Sequence, residues 1–201
     1  MDTKPILYIV AGANGSGKTT YAKNFALSRS IPFINADEIA KVVKSDFKAG
    51  RQFFDEFNAR LEEGRSFAIE STLSGKTLGN EIKKAKLMGF EIHIIFLYLD
   101  TLEEHMVRVQ IRVRGGGHDI PEEKIRLRFS QSKERFWNTY RKLCDWWFLL
   151  NNSRNRFEQV AYGNVKYLVV SADLFSKFRN ENMVLEDSEI AGTILELYGM
   201  H

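Results

Sequence analysis

Apolar residues occur along this chain in two patterns that alternate: short continuous runs and sets at helical spacing. Ile6-Leu7-Tyr8-Ile9-Val10 is a run rich in β-formers, as expected of a strand buried on both faces. Thr20 to Leu27 reads as a helix, with Tyr21, Phe25 and also Ala22 expected to face a sheet. Pro32 to Asn35 predicts a second short strand ending at Asp37, expected next to the first strand in the sheet. Asp46 to Glu63 predicts a helix carrying Phe47, Phe54, Phe57 and Leu61 near helical spacing, stopped by Gly64. Ser66 to Ile69 is a third strand ending at Glu70, and Thr77 to Met88 a helix ended by Gly89. Glu91 to Leu99 is a fourth strand. Thr101-Leu102-Glu103-Glu104 has the form of a capping box, opening a helix to about Val113 that Gly115-Gly116-Gly117 breaks. Pro121 starts a further helix to about Lys142. Asp145 to Leu150 is a fifth strand ending in Asn151-Asn152-Ser153. Phe157–Tyr162 and Lys166–Val170 read as a terminal strand pair, and Ser188–Leu197 as a last helix.

This alternation argues for a parallel sheet of about five strands with helices on both faces, a three-layer α/β architecture. In such sheets ligands bind beyond the carboxyl ends of the strands. Three acids stand at those ends: Asp37, Glu70 and Asp100. Asp100 is read mainly as a helix-starting residue with Thr101. Asp37 either caps a helix beginning at Glu38 or does catalysis. Glu70 sits in an apolar strand context where a solvated acid is not expected, so it is a candidate to touch metal or acceptor, with Thr72 close behind it.

The sequence SGKT occurs twice, at Ser16–Thr19 and at Ser74–Thr77. The first copy lies in Gly12-Ala13-Asn14-Gly15-Ser16-Gly17-Lys18-Thr19, which fits G-x-x-x-x-G-K-[ST], and Thr20 follows. Its flanks are a strand and a helix, the context the motif requires. Glycines there let backbone N–H groups point at phosphate, Lys18 reaches the β- and γ-phosphates, and the Thr19 hydroxyl can ligate Mg²⁺. The second copy has Glu70 where its leading glycine belongs, so it is read as loop and cap chemistry with no nucleotide role. The nucleotide implied is ATP with Mg²⁺.

Composition changes this picture little. At 201 residues the chain reads as a single domain over 1–201, with a lid at about 108–130 and a C-terminal appendage at about 157–201. A net charge of +3 is too mild to argue for nucleic acid and suits an anionic small-molecule substrate. The one cysteine, Cys144, excludes an internal disulfide. The N-terminus runs straight into the first strand without room for a signal peptide, and no apolar run is long enough for a bilayer, so a soluble, cytoplasmic protein is expected.

Arginines gather from Arg108 through Arg112 and Arg114, past the three glycines and His118, to Arg126 and Arg128. Phosphoryl transfer needs positive charge on the moving group with water excluded, and a helix–glycine–helix unit bearing arginines suits a closing lid. A solvated basic face or RNA binding is the other reading of the same residues.

Four blocks, Gly12–Thr20, Asn35–Ala40, Glu70–Gly75 and Arg114–Pro121, together resemble the zeta-toxin-like P-loop kinases, in the family's order, across about positions 6 to 135. The chain is most similar to their small bacterial branch. The resemblance implies a kinase-type P-loop NTPase fold and an ATP-dependent kinase whose acceptor, in the toxins, is the sugar 3′-hydroxyl of UDP-N-acetylglucosamine. It places the catalytic acid on Asp37, the acceptor-site acid on Glu70, and the lid arginines among Arg112, Arg114 and Arg128. It also implies a possible antitoxin protein as partner. The chain is compact beside the toxins and lacks an obvious fused antitoxin segment. Two other classes remain open from the residues: a nucleotide-hydrolysing switch acting on a partner, and an RNA- or nucleotide-end kinase.

Overall fold

The computed structural model describes residues 4–43, 46–117 and 119–180. The helix expected over Ser188–Leu197 and the loop residue His118 lie outside the described residues. Strands β1 (Ile6–Ala11), β2 (Phe33–Ile34), β3 (Phe67–Ser71), β4 (Glu91–Tyr98), β5 (Trp146–Asn151), β6 (Glu158–Gly163) and β7 (Tyr167–Val169) form one seven-stranded sheet in the order β2-β3-β1-β4-β5-β6-β7. The first five in that order are parallel, and β6 and β7 add on antiparallel. The fold is α/β of the three-layer kind, and the five parallel strands match the number read from the sequence.

One expected adjacency is wrong. β2, which leads to Asp37, was expected beside the phosphate-loop strand, but β3 lies between them. The physical reason is burial. β1 is apolar throughout and needs parallel neighbours on both edges, which β3 and β4 supply over five or six residues; two-residue β2 can only be an edge. β3 also runs further than expected: Glu70 and Ser71 pair with Val10 and Ala11, so Glu70 stands inside the strand rather than past its end.

The helices are α1 (Lys18–Arg29), α2 (Ala36–Val43), α3 (Asp46–Glu63), α4 (Leu78–Leu87), α5 (Leu102–Arg114), α6 (Glu122–Arg135), α7 (Arg141–Leu143) and α8 (Ala172–Asn180). α1 covers one sheet face. Ala22 and Ala26 make its closest contacts, while Tyr21 and Phe25 are only partly buried at its flanks. Small residues win there because the helix start must approach the sheet to close the glycine loop. The opposite face holds the larger core, with Phe57 and Leu61 of α3, Ile82 and Ala85 of α4, and Phe67, Ile69 and Phe96 of the strands. Each fully buried Phe or Leu contributes roughly 1.5–3 kcal/mol relative to exposure.

α6 does not run evenly to Lys142. A π-helical turn, Phe136–Tyr140, joins α6 to α7. The extra residue per turn brings Phe136, Trp137 and Tyr140 inward together, with Phe136 stacked on Phe96 at 4.4 Å. Residues 158–180 continue the same sheet, and Phe175 and Phe178 of α8 pack into the main core. No helix among the described residues is long and apolar enough to cross a membrane.

Candidate active site

The loop between β1 and α1 is built by three glycines at positive φ: Gly12 at 138°, Gly15 at 85° and Gly17 at 93°. A Cβ on Gly12 would lie 2.0 Å from the Leu97 carbonyl oxygen, so only glycine fits between β1 and β4. Among the described residues, no protein acceptor is paired with the backbone N–H groups of Gly15, Gly17, Lys18 or Thr19. The Ser16 hydroxyl is also buried without a partner. A cluster of unpaired donors at a helix N-terminus is a ready anion cradle.

Lys18 is 6% exposed, and its Nζ donates to the Ala13 carbonyl at 3.0 Å. It also lies 3.8 Å from Glu70 Oε1. Burial pushes the Lys18 pKa down; Glu70 and Asp37 oppose that, while Arg112 and Arg128 add to it. Those four residues therefore lie within electrostatic reach of one ammonium.

The second acid stands on a well-held turn. Asn35 Oδ1 accepts from Asp37 N at 2.8 Å and Glu38 N at 3.4 Å, capping α2. Asp37 is thus not the cap. It lies in the first turn of α2, exposed, where the helix dipole favours a carboxylate.

Asp37, Glu70, Thr72, Asn14, Lys18 and Arg128 line one cleft of about 300 Å³. Its apolar wall includes Phe53 and Phe54 of α3 and Tyr140 of the π turn. The second SGKT forms its rim. Thr72 Oγ1 and Ser74 Oγ are 2.7 Å apart, Tyr140 donates to the Gly75 carbonyl at 2.7 Å, and Ser132 of α6 donates to the Thr72 carbonyl. Lys76 is exposed and Thr77 precedes α4 without a side-chain capping bond. This loop is pinned through its carbonyls, and its lysine is exposed where Lys18 is buried.

Four of the arginines differ in place. Arg128 lines the cleft and donates to Asn14 Oδ1 at 3.1 Å. Arg112 is exposed within reach of Lys18. Arg114 is exposed at the end of α5, and it does not line the cleft. Arg108, placed in the lid from sequence, instead donates to the Asn152 and Ser153 carbonyls and ties α5 to the end of β5. Asp100 likewise accepts from Asn151 Nδ2 at 2.6 Å, joining two strand ends. The capping box is half formed: Thr101 accepts from Glu104 N, but the Glu104 carboxylate accepts from Ser153 Oγ.

Two supports of the loop come from distant parts of the chain, one of them from the Asn151-Asn152-Ser153 strand end. His105 is buried, and its Nδ1–H donates to the Asn14 carbonyl at 2.5 Å. Burial pushes its pKa down to about 4, so the ring is neutral at pH 7. Asn152 Nδ2 donates to the Ser16 carbonyl at 3.0 Å from beside Gly17. The donor set fits a nucleotide polyphosphate. Among the described residues no group of three or more His, Cys, Asp or Glu could hold a metal.

Solved structures place this architecture. A chain of the AvrRxo1-ORF1:AvrRxo1-ORF2 complex with sulphate ions superposes with a TM-score of 0.71 at 17% identity, covering 92% of this chain. This chain spans 66% of that one. The same complex with ATP superposes equally well, at a TM-score of 0.71. A chain of the PezAT chromosomal toxin–antitoxin system of Streptococcus pneumoniae gives a TM-score of 0.62 at 15% identity over 98% of this chain and 88% of that one. The fold is the three-layer α/β fold that these chains share. No protein-family profile matches the chain. By sequence, an uncharacterized protein of Haemophilus influenzae is 33% identical over 135 residues, which is 64% of this chain and 94% of that protein. The chain belongs to the same family as that protein.

Proposed function

We propose that this protein is an ATP-dependent kinase that phosphorylates a hydroxyl of a small molecule. The observation that carries the reading is the shared cleft: the phosphate-loop lysine, two carboxylates and a lid arginine face one space beside an unpaired backbone cradle. Bound MgATP would supply the phosphoryl group and a divalent charge on its oxygens.

The chain's own residues do the rest. The loop N–H groups and Lys18 hold the phosphates, and the Thr19 hydroxyl is the protein's ligand for Mg²⁺. Asp37 accepts the proton of the acceptor hydroxyl as that oxygen bonds to phosphorus and the bridging oxygen leaves with ADP. A neutral hydroxyl is a poor nucleophile, and a positioned base contributes about 10²–10⁴-fold. Arg128 and Arg112 stabilise charge on the moving group, and Arg114 joins them only if the lid closes. Glu70 and Thr72 orient the acceptor. Phe53, Phe54 and Tyr140 exclude water from the inner wall.

The specific acceptor we propose is a UDP-activated amino sugar, UDP-N-acetylglucosamine in particular, in the cytoplasm where ATP is supplied. The zeta-toxin-like fold supports that choice, as does a cleft with both an apolar wall and cationic groups. Two of the similar structures come from a two-component complex and a toxin–antitoxin system, which supports an antitoxin-like protein partner. The test is incubation of the protein with labelled ATP and a metabolite extract, alongside UDP-N-acetylglucosamine followed by mass spectrometry. A labelled hydroxyl compound supports the kinase. Phosphate release with no labelled acceptor would favour the hydrolase switch instead, and a labelled RNA end with steeply salt-dependent RNA binding would favour the end kinase.

A further inference from the structure

Asn35 joins the two halves of the cleft through one side chain. It is 5% exposed. Its Oδ1 accepts from two backbone N–H groups at the start of α2, which fixes the amide's orientation. Its Nδ2 therefore faces outward and donates to Glu70 Oε2 at 3.0 Å. The other Glu70 oxygen, Oε1, lies 3.8 Å from Lys18 Nζ, beyond hydrogen-bond distance. Both side chains of that pair are nearly buried, at 6% and 9% exposure. A buried carboxylate and ammonium so close would be expected to close into direct contact. Here the amide holds the carboxylate from behind, and the Ala13 carbonyl holds the ammonium.

We propose that Asn35 is a positioning residue that restrains Glu70 short of Lys18, leaving the lysine available to phosphate. The groups facing this pair are Asp37, Arg112 and Arg128, and the two arginines also favour Lys18 turning toward an anion. The same amide caps the helix that carries Asp37, so a single residue sets the donor-site lysine and the acceptor-side acid together. This inference rests on the nucleotide-binding half of the kinase reading and needs no transfer chemistry.

Asn35→Ser and Asn35→Asp separate the two roles of the amide. Ser and Asp are both good N-cap residues, so α2 keeps its cap. Neither can donate to Glu70 as the amide does, and Asp also pushes the carboxylate toward Lys18. The probe is ADP in buffer with EDTA, titrated by calorimetry, so that only phosphate contacts are read. Asn35→Ser weakens ADP binding on the order of tenfold, the Coulomb difference between 3.8 Å and direct contact at an effective dielectric constant of about 20. Asn35→Asp weakens it more. In a Glu70→Gln background both losses disappear, because the competing carboxylate is gone. Equal losses with and without Glu70 would mean that Asn35 acts only as a cap, and the proposal fails. Unchanged ADP affinity in Asn35→Asp overturns it as well. If the wild type binds ADP and shows this pattern yet phosphorylates nothing, the coupling stands and the kinase reading falls.

Discussion

Arg128 donates to the Asn14 side-chain carbonyl across 3.1 Å, so α6 rests directly on the glycine loop between β1 and α1. The contact crosses 114 positions of sequence. It places a guanidinium on the lining of the cleft, while the end of α5 before Gly115–Gly117 is exposed.

The three arginines proposed to act on the moving phosphoryl group are accordingly unequal. Replacing Arg128 by Gln lowers kcat by about 10²–10³-fold, the scale for losing one donor to transition-state charge. Arg112→Gln acts in the same direction, and Arg114→Gln has the smallest effect. In each case kcat falls more than the KM for ATP rises. Steady-state kinetics on the three single variants checks this order; a larger loss at Arg114 than at Arg128 would show that the lid closes differently.

The two SGKT copies differ in what surrounds them. Lys18→Ala weakens nucleotide binding and abolishes transfer, costing roughly 2–4 kcal/mol of transition-state stabilisation. Lys76→Ala, at an exposed position on a pinned rim, leaves nucleotide affinity unchanged. Calorimetric titration with MgATP distinguishes them, and equal losses would contradict the assignment.

Much of this was legible in the sequence, and the residues that were not share a cause. β1, its glycine loop and α1 announce themselves because strand burial, turn geometry and helix start are all local. Asp37 and Glu70 were visible as acids at strand ends. Their relation was not: strand order depends on which neighbours β1 requires, and that placed β3, which carries Glu70, between β1 and the β2 strand that leads to Asp37. Arg108 and Arg112 read alike at i,i+4 spacing, yet one pairs with carbonyls at the end of β5. The π turn left no period to detect. His105 and Asn152 support the loop from 91 and 136 positions away, so although Asn151-Asn152-Ser153 stood out as a strand end, no spacing rule finds either contact.

His105 gives the structure a pH dependence. Its folded pKa of about 4 lies below the ordinary value of 6.5. Between those values the unfolded chain binds a proton that the folded chain excludes. Stability is therefore fully present above about pH 6.5 and falls as pH drops toward 4. From pH 7 to pH 5 this one residue accounts for about 2 kcal/mol. Urea denaturation of the wild type and His105→Asn at both pH values measures it. The wild type should lose that much more than the variant; parallel losses would show that His105 titrates normally.

The glycine loop makes a structural demand as well. Gly12→Ala would set a methyl 2.0 Å from the Leu97 carbonyl oxygen, a backbone atom that cannot swing away. Adding strain at φ 138°, the variant should lose at least about 2 kcal/mol of stability together with nucleotide binding. Thermal unfolding reads the first and ADP titration the second, and a variant as stable as the wild type would contradict this packing.

The central claim concerns Asp37, and one comparison tests it most directly: transfer of labelled phosphate from ATP to the acceptor pool by the wild type and by Asp37→Asn. The substitution keeps the shape and removes the base. Transfer should fall by about 10²–10⁴-fold while calorimetry shows MgATP binding unchanged. Equal transfer by the two proteins would contradict the account whatever the acceptor proves to be.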